Sequence, residues 1–436
     1  MSKVQRVSIS RASTALALAV MLLLAVAATP WAQAQYEVLY RFHGKTKADG
    51  ATPGAGVILD AAGNLYGTTE YGGDINCFPE VGCGVVFKLN PGTGEETVLY
   101  TFTGATDGAG PNAGLIRDAA GNLYGTTPEG GHLNCQALQD LPHPKGCGVV
   151  FKLDTTGKET VLHSFTGGGD GGVPEANVIR DAAGNLYGTT EGGGDCCGVV
   201  FKLNPDTGEE TVLYAFTGGT DGGLPLAGVI QDAAGNLYGA TVNRGDLNCF
   251  PPNGCGVVFR LDSTGKETAL YAFTGGADGA FPFAGVIQDT AGNLYGTTEN
   301  GGDLTCIVTL GCGVVFRLDT TGKETVLYTF TGGADGGLPA AGVIRDAAGN
   351  LYGTTQNGGD LTCGAPYGCG VVFKLDTTGK ETVLHTFTGG VDGAFPGGLN
   401  QDAAGNLYGT TAGGGDPNCS SFVYSSGCGV VFKLTP

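Results

Sequence analysis

The chain has 436 residues and a formal net charge of −19 at pH 7, a balance that excludes nucleic acid and anionic membrane as natural partners. Its 82 glycines suggest low complexity, yet they fall at fixed places in a long repeat, as turn residues do.

In chain order the first segment is an export signal. Lys3, Arg6 and Arg11 precede an apolar run over 15–28, and Ala32, Gln33 and Ala34 supply small residues before Gln35. This is the pattern of a secretory signal peptide over 1–34, with cleavage expected after Ala34. The run is short for a membrane span of about 20 residues, and no later stretch competes with it. Residues 35–436 are therefore expected to form one soluble, secreted, monomeric domain, extracellular or periplasmic.

That domain is built on one repeated stretch. The Asn of Gly-Asn-Leu-Tyr-Gly recurs at Asn64, Asn122, Asn185, Asn236, Asn293, Asn350 and Asn406, at steps of 58, 63, 51, 57, 57 and 56. A fixed period of this size signals a propeller or solenoid. Each period parses into four short strands, as in the sixth copy: 341–346, then LYGTT over 351–355, then GVVFKL over 370–375, then ETVLHTF over 381–387. Turns of the form Asp-x-x-Gly, such as Asp346 to Gly349 and Asp376 to Gly379, join the first strand to the second and the third to the fourth, Asp bonding the turn backbone and Gly supplying a positive φ.

In GVVFKL, Val85, Phe87 and Leu89 face one way and Val86 and Lys88 the other. Both faces of each sheet thus carry apolar groups and must be covered, as blades cover one another around an axis. Gly67 and its equivalents are expected to make room for an aromatic ring of the next blade. The chain opens on YEVLYRF over 36–42, an orphan fourth strand, and ends on a seventh third strand. The fold predicted is all-β: a seven-bladed propeller of four-stranded antiparallel blades, its ring closed by the N-terminal strand joining the C-terminal blade, which removes the open ladder edges.

The 14 cysteines fall two to a repeat between strands two and three: Cys77 and Cys83, Cys135 and Cys147, Cys196 and Cys197, Cys249 and Cys255, Cys306 and Cys312, Cys363 and Cys369, Cys419 and Cys428. An even count in register with the repeat, behind an export signal, points to disulfides within each loop. Zinc is the rival, but no second Cys or His pair stands at ligand spacing. Repeat three has lost its loop, so Cys196 and Cys197 form either a vicinal bond or two free thiols.

At these residues the chain resembles the tandem GloVer-repeat (choice-of-anchor) family of exported bacterial proteins, carried by GNLYGTT followed by GVVFKL at the repeat sites. The resemblance implies a propeller-like exported protein and brings no catalytic residues. Unlike anchored members, the chain shows no hydrophobic tail before Pro436 and no lipid-anchor cysteine after the signal. Its single tryptophan, Trp31, lies in the signal segment, which sets the domain apart from tryptophan-bearing propeller repeats.

Chemistry is sought in the loops. The connection from strand four to the next strand one repeats as Asp-Gly-x-x-Pro, with Asp49, Asp107, Asp170, Asp221, Asp278, Asp335 and Asp392. It shares one end of the propeller with the cystine loops, which add Asp74, Asp195, Asp246, Asp303, Asp360 and Asp416, with His132 in the seventh place. This acidic face suits calcium or a cationic partner, or is a set of plain Asp-Gly turns. One Asp per loop falls short of the six to eight oxygens calcium needs, so no cofactor is assigned.

His163 and His385 stand for the Tyr of strand four and read as packing substitutions. His43 matches neither pattern, and His132 and His143 share the longest cystine loop. The breaks in the repeat near strand one are Asn112, Glu175, Asn177 and Asn400; the residue before the strand-one Asp varies as Leu59, Arg117, Arg180, Gln231, Gln288, Arg345 and Gln401. Glu175 is the one acidic break there and the weak catalytic candidate, since acid–base chemistry needs a positioned partner.

Three functions follow. A secreted non-catalytic binding or scaffold propeller would use the variable cystine loops against an extracellular protein or glycan. A hydrolase, lyase or lactonase would use the axial channel, and a passive envelope or matrix component would use neither.

Overall fold

The computed structural model describes residues 34–44, 47–77, 81–135, 146–306, 310–419 and 427–436. The expected signal peptide lies, but for Ala34, outside the described residues. Seven four-stranded antiparallel sheets form the blades of a closed propeller. Blade 1 runs Ile58–Leu59, Leu65–Thr69, Val85–Asn90 and Glu95–Thr101, and blades 2 to 6 repeat that order.

Blade 7 combines Ala394–Gln401, Leu407–Gly413 and Val430–Thr435 with the first strand of the chain, Gln35–Arg41. Gln35 pairs with Thr435 and Arg41 with Val430, in antiparallel register. The ladder edge of the last strand is therefore consumed by the first, as the orphan strand implied. Tyr36 adds a second tie, stacking on His385 of blade 6 at 3.7 Å between ring centroids and donating its hydroxyl to Asp392 O.

The alternation in GVVFKL sets the seams. Val85, Phe87 and Leu89 pack toward Tyr408 and Val431 of blade 7, while Val86 packs toward Leu123 and Phe151 of blade 2. The Phe that ends each strand four crosses to the third-strand Phe of the next blade. Phe102 meets Phe151 at 5.2 Å, Phe216 meets Phe259 at 5.2 Å, and Phe42 closes the circuit on Phe87 at 5.2 Å. Edge-to-face pairs at this spacing add about 0.5–1.5 kcal/mol each beyond burial.

Two sequence expectations are corrected. The ladder of strand one spans two residues in blades 1 to 6, such as Ile344–Arg345 where 341–346 was read; the rest of that segment lines the axis. Gly67 makes room for a ring of its own blade: a Cβ there would lie 2.6 Å from Phe87 Cζ, the residue opposite it in the ladder. Alternation along one strand cannot distinguish a cross-strand ring from one arriving from outside.

Hydrogen bonds also cross the seams. The first Thr after Leu-Tyr-Gly donates to a carbonyl at the head of the next blade, as Thr68 to Ala113 O at 2.8 Å, Thr126 to Ala176 O at 2.8 Å and Thr189 to Ala227 O at 2.9 Å. Blade 4 has Ala240 at this place and lacks that donor.

Candidate functional site

The sequence-predicted aspartates are bound up in the frame. In each first turn the Asp accepts from four donors, as Asp60 does from Ala62 N, Asn64 N, Asn64 Nδ2 and Tyr66 OH. The Asp-Gly-x-x-Pro carboxylates are engaged likewise. Asp107 accepts from Tyr100 OH, Thr103 N and Thr103 Oγ1; Asp221, Asp278 and Asp335 accept from the equivalent Tyr and Thr. Asp49 takes Tyr40 OH and His43 Nδ1. Where His163 and His385 replace Tyr, they approach Asp170 and Asp392 at 3.5 and 3.4 Å, and the Thr contacts remain. Each carboxylate ties strand four to the loop leaving it. Among the described residues no three His, Cys, Asp or Glu side chains converge as metal ligands.

All fourteen cysteines pair within their own blade, and Cys196 is bonded to Cys197. The carbonyl of the second cysteine accepts the N–H of the residue before the Pro of the outgoing connection, as Cys428 O from Thr52, Cys83 O from Gly110 and Cys197 O from Leu224. This bond sets a demanding backbone. Thr52, Val173, Leu224, Phe281, Leu338 and Phe395 all have φ between 54 and 61°, and only blade 2 places a glycine, Gly110, there. Gly332, at φ 73°, lies where a Cβ would be 2.6 Å from Cys312 Sγ.

These loops share one end of the propeller, as predicted, and they carry what sequence reading missed. Every large hydrophobic side chain exposed among the described residues sits on this end: Ile75, Leu133, Leu247, Leu304, Leu361 and Tyr367 in the cystine loops and Val391 in a connection. Five of them occupy one place, directly after the loop Asp or His132. His132 is exposed beside Leu133, whereas His143 lies outside the described residues.

At the centre of this end the channel opens as a cavity of about 380 Å³, walled mostly by Gly and Ala of the strand-one segments and by Asn112, Glu175, Asn177 and Asn400. Asn112 Nδ2 donates to Glu175 Oε2, and Asn112 Oδ1 is buried without a partner. Glu175 is held above the usual carboxylate range by burial, partly offset by Asn112. Glu70 is pushed up to about 7 by burial and by Glu175. Glu129 is pushed up to about 8 by burial, then by Glu70 and Glu175, and Glu191 is raised by burial and Glu175. Like charges in a low-dielectric mouth disfavour ionisation together. The signal for these partners was present, since Glu70 and Glu191 stand where blades 4, 6 and 7 carry Val242, Gln356 and Ala412. Asn400 is apart from the cluster, donating to Val57 O at 3.2 Å.

The varied residue before the strand-one Asp is not at this mouth. Arg117, Arg180 and Arg345 lie over Tyr66, Tyr124 and Tyr295 of the preceding blade, at 5.8, 5.9 and 5.7 Å from the ring centroids, on the end formed by the Asp-x-x-Gly turns.

The sequence model of the Gloeobacter/Verrucomicrobia repeat matches residues 26–143, 139–366 and 252–436. The chain belongs to this repeat family. No curated protein matches the chain. Solved structures are similar to this Gloeobacter/Verrucomicrobia repeat protein at low identity. The extracellular domain assigned to a hybrid two-component system of B. thetaiotaomicron is 12% identical with a TM-score of 0.50; 92% of this chain is covered, but the chain spans only 41% of that structure's length. A gluconolactonase from Xanthomonas campestris is 13% identical over 92% of this chain and 89% of its own, with a TM-score of 0.40. A protein of unknown function from Dyadobacter fermentans is 10% identical over 93% and 100%, with a TM-score of 0.46. Among the described residues no helix is long and apolar enough to cross a membrane.

Proposed function

We propose that this repeat propeller is a secreted, non-catalytic binding module that docks an extracellular protein through its cystine-loop face. The observation that carries the reading is the confinement of the exposed aliphatic side chains to that face, Leu304 and Leu133 being 54% and 48% exposed. Exposed apolar groups confined to one end of a stable frame point to that end as an interaction surface. Aliphatic groups favour a protein over a glycan, since sugars pack best on aromatic rings. Each aliphatic residue follows Asp74, Asp246, Asp303, Asp360 or His132, so the matching surface is apolar with cationic flanks. Replacing Ile75, Leu133, Leu247, Leu304 and Leu361 together by Ser tests the reading. A partner captured from envelope extracts, then purified, is expected to bind the variant at least about tenfold more weakly; equal affinity for both proteins ends it.

The axial carboxylates favour a second reading, hydrolysis of a lactone or ester at the channel mouth. Burial and neighbouring carboxylates push Glu70 up to about 7 and Glu129 up to about 8, a range that suits general acid–base work near neutral pH. Turnover in a lactone and ester screen that Glu175→Gln abolishes would support it; no turnover by the native protein removes it.

A further inference from the structure

Two departures from the repeat meet at the seam between blades 3 and 4, on the cystine-loop end. In blade 3 the loop is gone and Cys196 is bonded to its chain neighbour Cys197, whereas the other six disulfides join cysteines 6 to 12 residues apart. Cys196 is exposed, while the other thirteen cysteines, all within the described residues, are buried or half-buried. In blade 4 the first glycine of the Gly-Gly that precedes the loop Asp is replaced by Arg244; Gly72, Gly130, Gly193, Gly301, Gly358 and Gly414 hold this place elsewhere.

Arginine is disfavoured where it stands. Its φ is 69°, in the left-handed region that its six equivalents enter as glycine and that a Cβ makes costly. Backbone strain kept at one copy of a repeat points to a use for the side chain. That side chain runs to the blade 3 disulfide. Around the point a Cβ on Gly218 would occupy, Cys197 Sγ lies at 2.7 Å, Cys196 Sγ at 3.2 Å and Arg244 Nε at 3.7 Å. Around the corresponding point of Gly223, Arg244 Cγ lies at 3.0 Å and Cys197 Cβ at 3.1 Å. The guanidinium therefore stands beside both sulfurs, with the arginine stem against Cys197, and Arg244 Nη1 is tied to Pro252 O at 2.9 Å. Cys196 Sγ lies 3.5 Å from Thr217 O, an acceptor for the S–H that reduction would place there.

A bond between adjacent residues closes no loop of chain, so opening it frees no segment and leaves blade 3 held by its ladders. Exchange at a disulfide is fastest where one sulfur is accessible and the other leaves as a stabilised thiolate, and a neighbouring arginine lowers the pKa of a thiol. We infer that Cys196–Cys197 is a thiol–disulfide exchange site for thiols presented at the cystine-loop end, Cys196 being the sulfur attacked and Cys197 the sulfur released. An incoming thiolate bonds to Cys196 Sγ as the Cys196–Cys197 bond breaks, and the electron pair leaves on Cys197 Sγ, beside the Arg244 guanidinium. A second thiolate attacks the sulfur of the first, which departs in a new disulfide and leaves the electron pair on Cys196 Sγ. Two thiols are oxidised, one disulfide is reduced, and the two protons given up by the thiols end on Cys196 and Cys197. The exchange is stoichiometric, is reversed by an external disulfide, and does not depend on the docking role proposed above.

Incubating the native protein in glutathione buffers of increasing reducing strength, then alkylating with N-ethylmaleimide and mapping the peptides, tests this. Cys196 and Cys197 are expected to take the label together while the other six disulfides stay closed. Cys197→Ala treated with oxidised glutathione is expected to carry glutathione on Cys196, whereas in Cys196→Ala the buried Cys197 reacts at least about tenfold more slowly. Arg244→Gly, which installs the residue of the other six blades, slows reduction of the native pair by at least about threefold, and Arg244→Lys, which keeps the charge, retains most of the rate. A melting temperature unchanged or raised in Arg244→Gly separates loss of the charge from misfolding. A pair that opens only together with the other six, glutathione on Cys197 in preference to Cys196, or an Arg244→Gly rate equal to the native one overturns the assignment.

Discussion

Thr52 shows how one position can work against the frame that holds it. Its φ is 58°, its side chain is 2% exposed, and its hydroxyl has no hydrogen-bond partner. A β-branched residue in the left-handed region costs about 1–2 kcal/mol, and a buried unpaired hydroxyl about 1–3 kcal/mol; glycine gives back about 0.5–1 kcal/mol through its freer unfolded chain. Thr52→Gly, the residue blade 2 uses as Gly110, is therefore expected to raise stability by about 1 kcal/mol in chemical denaturation. At the channel mouth, Glu175→Gln removes one of the charges that lift its neighbours. Carboxyl-carbon NMR titration is expected to place Glu129 below its native value of about 8 and to lower Glu70 and Glu191 with it; unmoved titrations would mean that burial alone sets them.

At the scale of the strand and its seam, the repeated Thr is a natural experiment. Thr189→Ala deletes a bond to Ala227 O and is expected to cost about 0.5–1.5 kcal/mol. Ala240→Thr supplies the donor that blade 4 lacks and is expected to gain a similar amount, read in the same unfolding assay. The strands, turns, pairing of cysteines and ring closure were legible because each rests on local chemistry: alternation, Asp and Gly in turns, paired Cys and an orphan strand. Strand one was overread because its residues leave the ladder near the axis, where backbone convergence, not side-chain alternation, decides. The Arg and Gln series was visible as Leu59, Arg117, Arg180, Gln231, Gln288, Arg345 and Gln401, yet its meaning depends on the Tyr of another blade, a contact that no single repeat contains. The axial carboxylates come from three successive blades, and only the packing of those blades brings their charges within reach of one another.

For the whole molecule, acidity and burial combine into a pH response. Glu96, Glu159, Glu210, Glu267, Glu324 and Glu381 stand at or next to the start of strand four in successive blades. Each is pushed up to about 7, first by burial and then by the Asp of a neighbouring connection. A carboxyl raised on folding binds more protons in the native state than in the unfolded chain between its two pKa values. Its stabilising contribution is present below the unfolded pKa and is lost as pH rises through about 7. The turn aspartates, Asp60 and its equivalents, are held low by their donors, burial opposing, so what they add is lost in strong acid. Calorimetry from pH 4 to 9 at fixed ionic strength is expected to find the highest melting temperature near about pH 4.5, falling through neutrality. Substituting Gln at the six strand-four glutamates should flatten the fall, and a melting temperature rising from pH 5 to 8 would contradict the assignment.

The union of Gln35–Arg41 with Val430–Thr435 also imposes an order in time. Within the propeller, the strand synthesised first must wait for the one synthesised last, so the toroid cannot shut until its seventh blade is complete. Six blades' worth of polypeptide emerges with its opening strand unmated, and a single late pairing then seals the ring.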